Sequence, residues 1–219
     1  MDSIWRITLL TLGMALTATV VMLPAGLLLA WALARGRFPG RVLLETLVSL
    51  PLVMPPVATG LVLLTLLAPR GPVGGFLGGL GIEIVFTWKA VVIAMAVMGL
   101  PLLVRTARAG FEQVNVRYER VAATLGASPA RVFLTISLPL AWPSVLAGAV
   151  LAFARALGEF GATILFAGNL EGVTQTMPMA IYLGFERNLG IALALSVVLV
   201  IVSVFLLMFT KRLEKHEAD

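Results

Sequence analysis

The chain has 219 residues, of which 60% are hydrophobic and only 12% are charged. A soluble domain is about 45–50% apolar and about 25% charged, so this composition excludes an ordinary soluble protein and indicates a protein of the lipid bilayer. Cysteine is absent, and the single histidine, His216, lies among charged residues, so we expect no metal site. The net charge of +5 does not indicate a nucleic-acid partner, because the basic residues are scattered among apolar blocks.

Five apolar blocks predict five transmembrane helices, and hence an all-α integral membrane protein with a single domain over residues 1–219. A helix needs about 20 residues to cross the hydrocarbon core. The third block reaches that length only if Ile84 to Phe86 join it and Lys89 extends toward the interface. A signal peptide is the rival interpretation of the first block, but its apolar run is too long. The predicted spans are 7–34, 46–69, 84–104, 138–158 and 188–210.

The distribution of lysine and arginine predicts how the spans are oriented. Eleven of these residues fall on one side of the five spans and four on the other. Because the basic side is usually cytoplasmic, we expect an outer N-terminus, a cytoplasmic C-terminus and a cytoplasmic loop over residues 106–137. The four residues on the predicted outer side are Arg6, Arg70, Lys89 and Arg187.

The second predicted span contains three prolines in one uncharged run, and each of them removes a backbone donor and disturbs a helical turn. The sequence therefore predicts a broken helix. Irregular backbone at membrane depth is tolerated where it lines a cavity, so this stretch is the first candidate for a translocation path and its gate. A kink that only shapes helix packing is the alternative. The candidate residues are Pro51, Pro55, Pro56, Thr59 and Gly60.

The loop between the third and fourth spans predicts two short helices that meet at a tight corner. Gly126 suits the left-handed position that ends a helix, Ser128 can cap the next helix, and Pro129 suits its first turn. Small residues such as Ala122, Ala123 and Ala127 keep the corner slim. An ordinary connecting loop is the alternative, and a DNA-reading helix-turn-helix is disfavoured because both ends are tethered to the bilayer.

The fourth span carries a second candidate group for the translocation path. Arg155 and Glu159 are four residues apart and therefore share one helix face. The arginine is either a cation that attracts an anion or half of a self-neutralising pair. Gly161 and Thr163 belong to a run of small residues that allows close helix packing. Residues 174–186 are apolar but short and contain Pro178, which suggests a re-entrant or interfacial outer segment.

The spacing of the corner resembles the cytoplasmic coupling loop of ABC-importer permeases. That pattern reads Glu-Ala-Ala, three residues, Gly, nine residues, Ile, one residue, Leu-Pro. Gly126 and the run Ile136-Ser137-Leu138-Pro139 fit its second half, whereas Arg120-Val121-Ala122 replaces Glu-Ala-Ala and the acid stands one place early at Glu119. Within those importers the chain is most similar to the molybdate permease subunit, through the Leu-Pro-Leu-Val-Met-Pro-Pro-Val run of the second span.

The resemblance implies a type I importer permease in the inner membrane of a prokaryote, working as a homodimer. Its partners would be two ABC ATPase subunits and a periplasmic or lipid-anchored oxyanion-binding protein. The coupling residues would be Glu119, Ala122, Ala123, Gly126, Ala127, Ser128, Ile136, Leu138 and Pro139. In the proline-broken span, independently of the resemblance, we expect the Thr59 hydroxyl to be offered to an oxyanion.

No Gly-Lys-Ser/Thr phosphate loop occurs in the chain, so we expect no cofactor here and expect ATP and magnesium on the partner ATPase. The chain is then a transport permease and not an enzyme. Molybdate is the expected substrate, and tungstate shares its size and charge. A sulfate or thiosulfate ABC permease is one alternative. A stand-alone secondary anion transporter is another, although no inverted repeat is visible.

Overall fold

The computed structural model describes the backbone of residues 2–218 and the side chains of residues 3–212. Those residues form α-helices and one π-helical turn and contain no strand, which confirms the all-α fold class. His216, where no metal is expected, lies outside the described side chains. The helices are α1 Asp2–Arg35, α2 Arg41–Val53, α3 Pro56–Leu67, α4 Gly74–Gly79, α5 Trp88–Gln113, α6 Val116–Thr124, α7 Pro129–Val132, α8 Leu138–Leu140, α9 Trp142–Leu157, α10 Gly161–Phe166, α11 Met177–Arg187 and α12 Leu189–Ala218, and the π turn is Phe133–Ser137.

Three of the described helices are long and apolar enough to cross a membrane alone, namely α1, α5 and α12. Two further crossings exist if each of two bent pairs counts as one span. Helices α2 and α3 meet at 116°, and the segment Pro129–Leu140 meets α9 at 77°. The structure therefore accommodates up to five spans by length and composition, and the number five stays a prediction.

The break in the second predicted span falls between α2 and α3, at Met54 and Pro55. Pro55 and Pro56 begin the new helix, as expected for residues that lack the donor which a preceding turn would need. Pro51 differs from our expectation, because it lies inside α2 without ending it. A proline within a helix removes one hydrogen bond, and the remaining bonds of α2 continue on both sides of it.

Two other boundaries differ from the sequence interpretation. Residues Ile84 to Phe86 do not join the third span, because α5 begins at Trp88, where Thr87 caps it by accepting a hydrogen bond from the Lys89 amide. Helix α5 is instead longer at its C-terminal end, where it continues to Gln113, past the predicted end at Val104. In the outer segment, Pro178 stands in the first turn of α11 and does not interrupt it.

Helices α1, α5 and α9 pack together and form the centre of the molecule. Their contact surfaces are rich in small and flexible side chains, which let apolar helices approach closely in the absence of a strong hydrophobic force between them. Helix α3 packs on the short α10, and α12 packs on α9 and α11. The main core cluster includes Ala15, Ala94, Met95, Ala156 and Phe166, all fully buried.

Candidate functional site

The corner at residues 116–132 has the local geometry that its sequence predicts. Helix α6 ends at Thr124, Gly126 beyond its cap adopts the left-handed conformation with φ 86°, and the Ala127 amide donates to the Ala122 carbonyl at 3.0 Å. The Ser128 hydroxyl accepts from the Arg131 amide, and Pro129 opens α7. The expectation of two short helices joined at a glycine corner is confirmed.

A buried polar cluster ties this corner to the end of α1. Arg35 Nε donates to both oxygens of Glu119, at 3.1 and 2.9 Å, and Arg35 Nη2 donates to the Val114 carbonyl at 2.8 Å. The Ser137 hydroxyl donates to Glu119 Oε1 at 2.7 Å. Both charged side chains are largely shielded, with 16% and 12% exposed, so solvent and salt screen the attraction between them less than in a surface ion pair. We call Arg35, Glu119 and Ser137 the corner clamp.

Aromatic packing supports the corner clamp from the apolar side. The Trp31 ring meets the Phe133 ring edge-on at a centroid distance of 5.4 Å, and Phe111 lies 5.9 Å from Phe133. Phe111 is fully buried in a cluster with Leu33 and Val114. The ends of α1 and α5 and the π turn therefore form one packed unit beneath the corner.

The opposite surface of α6 is apolar and exposed. Tyr118 is 57% exposed, Val121 52% and Leu125 82%, although the helix otherwise carries charged and small residues. An apolar patch on a polar helix is typical of a protein-binding surface. The small residues Ala123 and Gly126 are exposed beside this patch, and Ala122 and Ala127 are partly buried.

The predicted coupling residues divide into two groups in the structure. Ser128 and Pro139 are exposed, in positions open to a partner. Ile136 and Leu138 are partly buried, and Glu119 is engaged by the corner clamp. The contribution of each residue to ATPase binding stays a prediction, while the internal role of Glu119 is visible.

The second candidate region is the contact between α3 and α10. A methyl group added at Gly60 would lie 2.5 Å from the Ala162 carbonyl oxygen, and one added at Gly161 would lie 2.8 Å from a Pro56 carbon. The two backbones can approach this closely only because both positions are glycine. The structure thus brings Pro56 and Gly60 of the broken span against Gly161, as residues of one site.

Arg155 and Glu159 form an ion pair beside this contact. Arg155 Nη1 lies 2.8 Å from Glu159 Oε2, and the other oxygen, Oε1, accepts from the Ala162 amide at 2.8 Å. Glu159 is 1% exposed and Arg155 27% exposed. The self-neutralising alternative is therefore the arrangement observed, and the carboxylate also holds the start of α10.

Two threonine hydroxyls in the same region have no hydrogen-bond partner among the described residues. Thr59 on α3 is 6% exposed and Thr163 on α10 is fully buried, and neither Oγ1 atom makes a hydrogen bond within that part of the chain. Most threonines on the long helices instead bond a carbonyl of their own helix, as Thr65 does. A buried hydroxyl without a partner carries a desolvation penalty, so these two groups are energetically unfavourable in this arrangement.

The comparison with protein families agrees with this architecture. A family model described as "Binding-protein-dependent transport system inner membrane component" matches residues 22–216. The chain belongs to this family. The match includes the corner and both halves of the α3–α10 contact, so the two candidate regions lie within one transport permease and the stand-alone transporter alternative is set aside.

Individual relatives refine the position of this permease within the family. It is 42% identical to the molybdenum transport system permease protein ModB of Escherichia coli (strain K12) over 223 residues, covering 99% of this chain and 97% of that protein. It is 36% identical to the sulfate transport system permease protein CysT of the same organism, covering 97% of this chain and 76% of that protein.

A solved structure shows that the fold is shared with more distant permeases. A bacterial alginate ABC transporter in complex with a pentasaccharide-bound periplasmic protein matches with a TM-score of 0.73 at 19% identity, covering 99% of this chain and 80% of that chain. The permease is therefore a multi-pass inner-membrane component of a transport system that depends on a binding protein.

Sequence reasoning missed two members of the corner clamp. Arg35 counted only toward the charge of the cytoplasmic side, and Ser137 stood at the unspecified position of the Ile-x-Leu-Pro motif. The weak signal in the sequence was the displaced acid, because an acid outside its usual motif position invites a search for another partner. No sequence spacing indicates a contact between residues as distant as Arg35 and Glu119.

Proposed function

We propose that the chain is the permease subunit of an ABC importer that carries molybdate across the inner membrane. The observation that carries this proposal is the 42% identity to a molybdenum transport permease over 99% of the chain. Tungstate is a second substrate on this proposal, because the two tetrahedral dianions are nearly the same in size and charge. The translocation path belongs to this subunit, and ATP hydrolysis belongs to a partner.

The corner faces the cytoplasm in this proposal and docks into a groove of the partner ATPase. The positive-inside distribution of lysine and arginine supports that orientation, with the N-terminus outside and the C-terminus inside. The exposed Tyr118, Val121 and Leu125 supply the apolar contact, and the exposed Ala123 allows close approach. Two copies of the chain, two ATPases and one oxyanion-binding protein make up the full transporter.

The corner clamp transmits the movement of the docked corner into the membrane. Arg35 is the last residue of α1, and its guanidinium holds Glu119 on α6 and the Val114 carbonyl after α5. A displacement of α6 by the ATPase would move α1 and α5 with it, because the corner clamp and the aromatic packing connect these three helices. Glu119 serves as a positioning residue of the corner.

The contact between α3 and α10 forms the narrow part of the translocation path. Its supporting features are the broken second span, the glycine-dependent approach of two backbones and the two unpartnered hydroxyls of Thr59 and Thr163. Arg155 is already neutralised by Glu159, so the region attracts an anion weakly. Weak binding suits transport, since a path that holds its substrate tightly releases it slowly.

The experiment that tests the proposal measures ATPase activity of the assembled transporter in liposomes. The chain is purified with its partner ATPase, and binding protein loaded with molybdate, tungstate or sulfate is supplied outside. Stimulation by molybdate and tungstate and not by sulfate is the expected result. Failure to retain any ATPase through purification would refute the importer assignment.

A sulfate permease is the second candidate, and the 36% identity to a sulfate transport permease over 97% of the chain favours it over any other oxyanion. The same experiment separates the two, since stimulation by sulfate alone would keep the importer class and change the substrate.

A further inference from the structure

A cavity of about 620 Å³ opens between the start of α1, the loop before α11, and the junction of α11 with α12. Apolar side chains such as Ile7, Leu10 and Ile191 form one part of its wall. Arg6, Arg187 and Glu171 form another part. The combination of an apolar wall and a charged rim is typical of a site for an amphipathic ligand.

The charged side chains of this cavity form no ion pairs within the described part of the chain. Arg6, Arg187 and Glu171 form no ion pair with another described side chain. Two positive charges and one negative charge leave the rim with an excess of one positive charge. The Arg6 guanidinium lies close to the Gly172 backbone, so a cation and the neighbouring Glu171 stand at the same edge of the cavity.

Gln175 supplies an independent sign that a ligand is missing. It lines the cavity with only 7% of its surface exposed, and its side-chain amide makes no hydrogen bond to a described residue. The amide is accessible from the cavity, where it can donate a hydrogen bond to a phosphate oxygen.

The position of the cavity at the ends of two long apolar helices indicates the kind of ligand. Helices α1 and α12 begin at Asp2 and Leu189 and are long and apolar enough to cross the membrane, and the cavity lies at the starts of these two helices. Because a spanning helix ends near the lipid headgroups, a cavity at these two ends would lie where an apolar wall meets acyl chains and arginines meet phosphates. A tetrahedral oxyanion would use only a small part of this volume and none of its apolar wall.

We propose that this cavity binds one phospholipid molecule. Arg6 and Arg187 hold its phosphate, Gln175 donates a hydrogen bond to a phosphate oxygen, and the first carbons of an acyl chain lie along Ile7, Leu10 and Ile191. Glu171 favours a headgroup that also carries an amine, as phosphatidylethanolamine does. The bound lipid fills the gap between α1, α11 and α12 and joins them. The proposal does not depend on the identity of the transported anion.

Native mass spectrometry of the full chain in detergent tests this site. The delipidated chain is titrated with phosphatidylethanolamine, phosphatidylglycerol or phosphatidylcholine, and the double variant R6Q/R187Q is compared with R70Q/K89Q. The control removes two positive charges from the same predicted membrane side at positions that do not line the cavity. We expect lipid binding to weaken about tenfold for each cavity arginine that is removed and to stay unchanged in the control.

Two further measurements make the result decisive. Gln175→Leu should weaken lipid binding without removing a charge, while thermal unfolding of each variant reports whether the fold is intact. Equal lipid binding by R6Q/R187Q and R70Q/K89Q would overturn the proposal. Displacement of the lipid by millimolar molybdate or phosphate would also overturn it and assign the cavity to a soluble oxyanion, and a loss of dimers with unchanged lipid binding would assign it to a second copy of the chain.

Discussion

The corner clamp and the α3–α10 contact both contain a shielded glutamate that pairs with an arginine and accepts a second hydrogen bond. In the corner, the pair joins residues that are far apart in sequence, Arg35 and Glu119, and Ser137 completes it. In the α3–α10 contact, the pair is local to one segment, at Arg155 and Glu159. Near the second pair, the hydroxyls of Thr59 and Thr163 have no hydrogen-bond partner among the described residues, and beneath the corner the buried Trp31 Nε1 also has none.

The difference shows two uses of the same chemistry. A cluster whose donors and acceptors are satisfied is rigid, because any movement breaks several bonds at once. That property suits an element which passes force from one helix to another. A region that leaves polar groups unsatisfied loses stability and gains sites for a solute. The satisfied cluster lies next to the exposed apolar patch of α6, and the unpartnered hydroxyls of Thr59 and Thr163 lie at the α3–α10 contact.

Removing the carboxylate from the corner clamp should have the largest effect. Glu119→Ala leaves the Arg35 guanidinium shielded and unpaired, which we expect to lower the free energy of unfolding by about 2–4 kcal/mol. Transport in liposomes should fall with it, and the double variant R35A/E119A should recover part of the stability because no unpaired charge remains. Unfolding in mixed detergent micelles measures the first effect, and ATP hydrolysed per anion carried measures the second.

The matched control for this experiment is Glu112→Ala. Glu112 pairs with Arg108 on the same helix at 2.7 Å, but its side chain is 46% exposed. We expect this change to alter the free energy of unfolding by about 0.3–0.5 kcal/mol. If R35A/E119A proved no more stable than Glu119→Ala, the clamp would not be an energetic unit.

Separating the two backbones of the α3–α10 contact should have an intermediate effect. In Gly60→Ala the new methyl group would lie 2.5 Å from the Ala162 carbonyl oxygen, and backbone atoms cannot turn away as a side chain can. We expect a loss of about 1–3 kcal/mol in the free energy of unfolding, together with slower transport. Thermal unfolding followed by tryptophan fluorescence measures the loss.

Gly13→Ala on α1 is the control for the backbone experiment, because a methyl group there meets no atom within 4 Å. Alanine also favours a helix over glycine by about 1 kcal/mol, so this variant should be as stable as the parent or slightly more stable. Equal stability of the Gly60 and Gly13 variants would show that the close approach is not required.

Removing the unpartnered hydroxyls should have the smallest effect on stability and the opposite sign. Thr59→Val and Thr163→Val each delete a buried polar atom without a partner, so the free energy of unfolding should stay constant or rise by up to about 1 kcal/mol. Transport should fall about tenfold if the hydroxyls contact the anion. A rise in the free energy of unfolding together with a fall in transport is expected only if the hydroxyls contact the transported anion.

Thr65→Val provides the comparison on the same helix as Thr59. The Thr65 hydroxyl is exposed and already donates to carbonyls of its own helix. Its loss should leave both stability and transport close to the parent values. Unchanged transport in Thr59→Val and Thr163→Val would remove these two residues from the path.

The parts of this molecule that sequence reasoning predicted are those which depend on neighbouring residues. The left-handed Gly126, the cap at Ser128 and the pairing of Arg155 with Glu159 all follow from local backbone geometry and helix spacing. The prolines predicted a break, but not which of them would end the helix or by what angle. Both outcomes depend on what packs against α2 and α3.

The parts that escaped prediction depend on contacts between distant segments. The approach of Gly60 to Ala162 and the pairing of Arg35 with Glu119 arise from how α1, α3, α6 and α10 assemble. A single sequence carries no information on the distances between these segments. The cavity at the starts of α1 and α12 belongs to the same class, because its wall comes from three separate segments.

The π turn at Phe133–Ser137 determines in which direction around the helix axis the side chains of the following helices point. Its hydrogen bond runs from the Leu138 amide to the Phe133 carbonyl, so the turn holds one residue more than an α-helical turn. One residue corresponds to about 100° of rotation around a helix axis. The additional residue therefore rotates α9 by about that angle relative to the corner. Deleting Leu134 would rotate Arg155 by about that angle relative to the corner, and it would also shorten the nine-residue spacing between Gly126 and Ile136 by one residue.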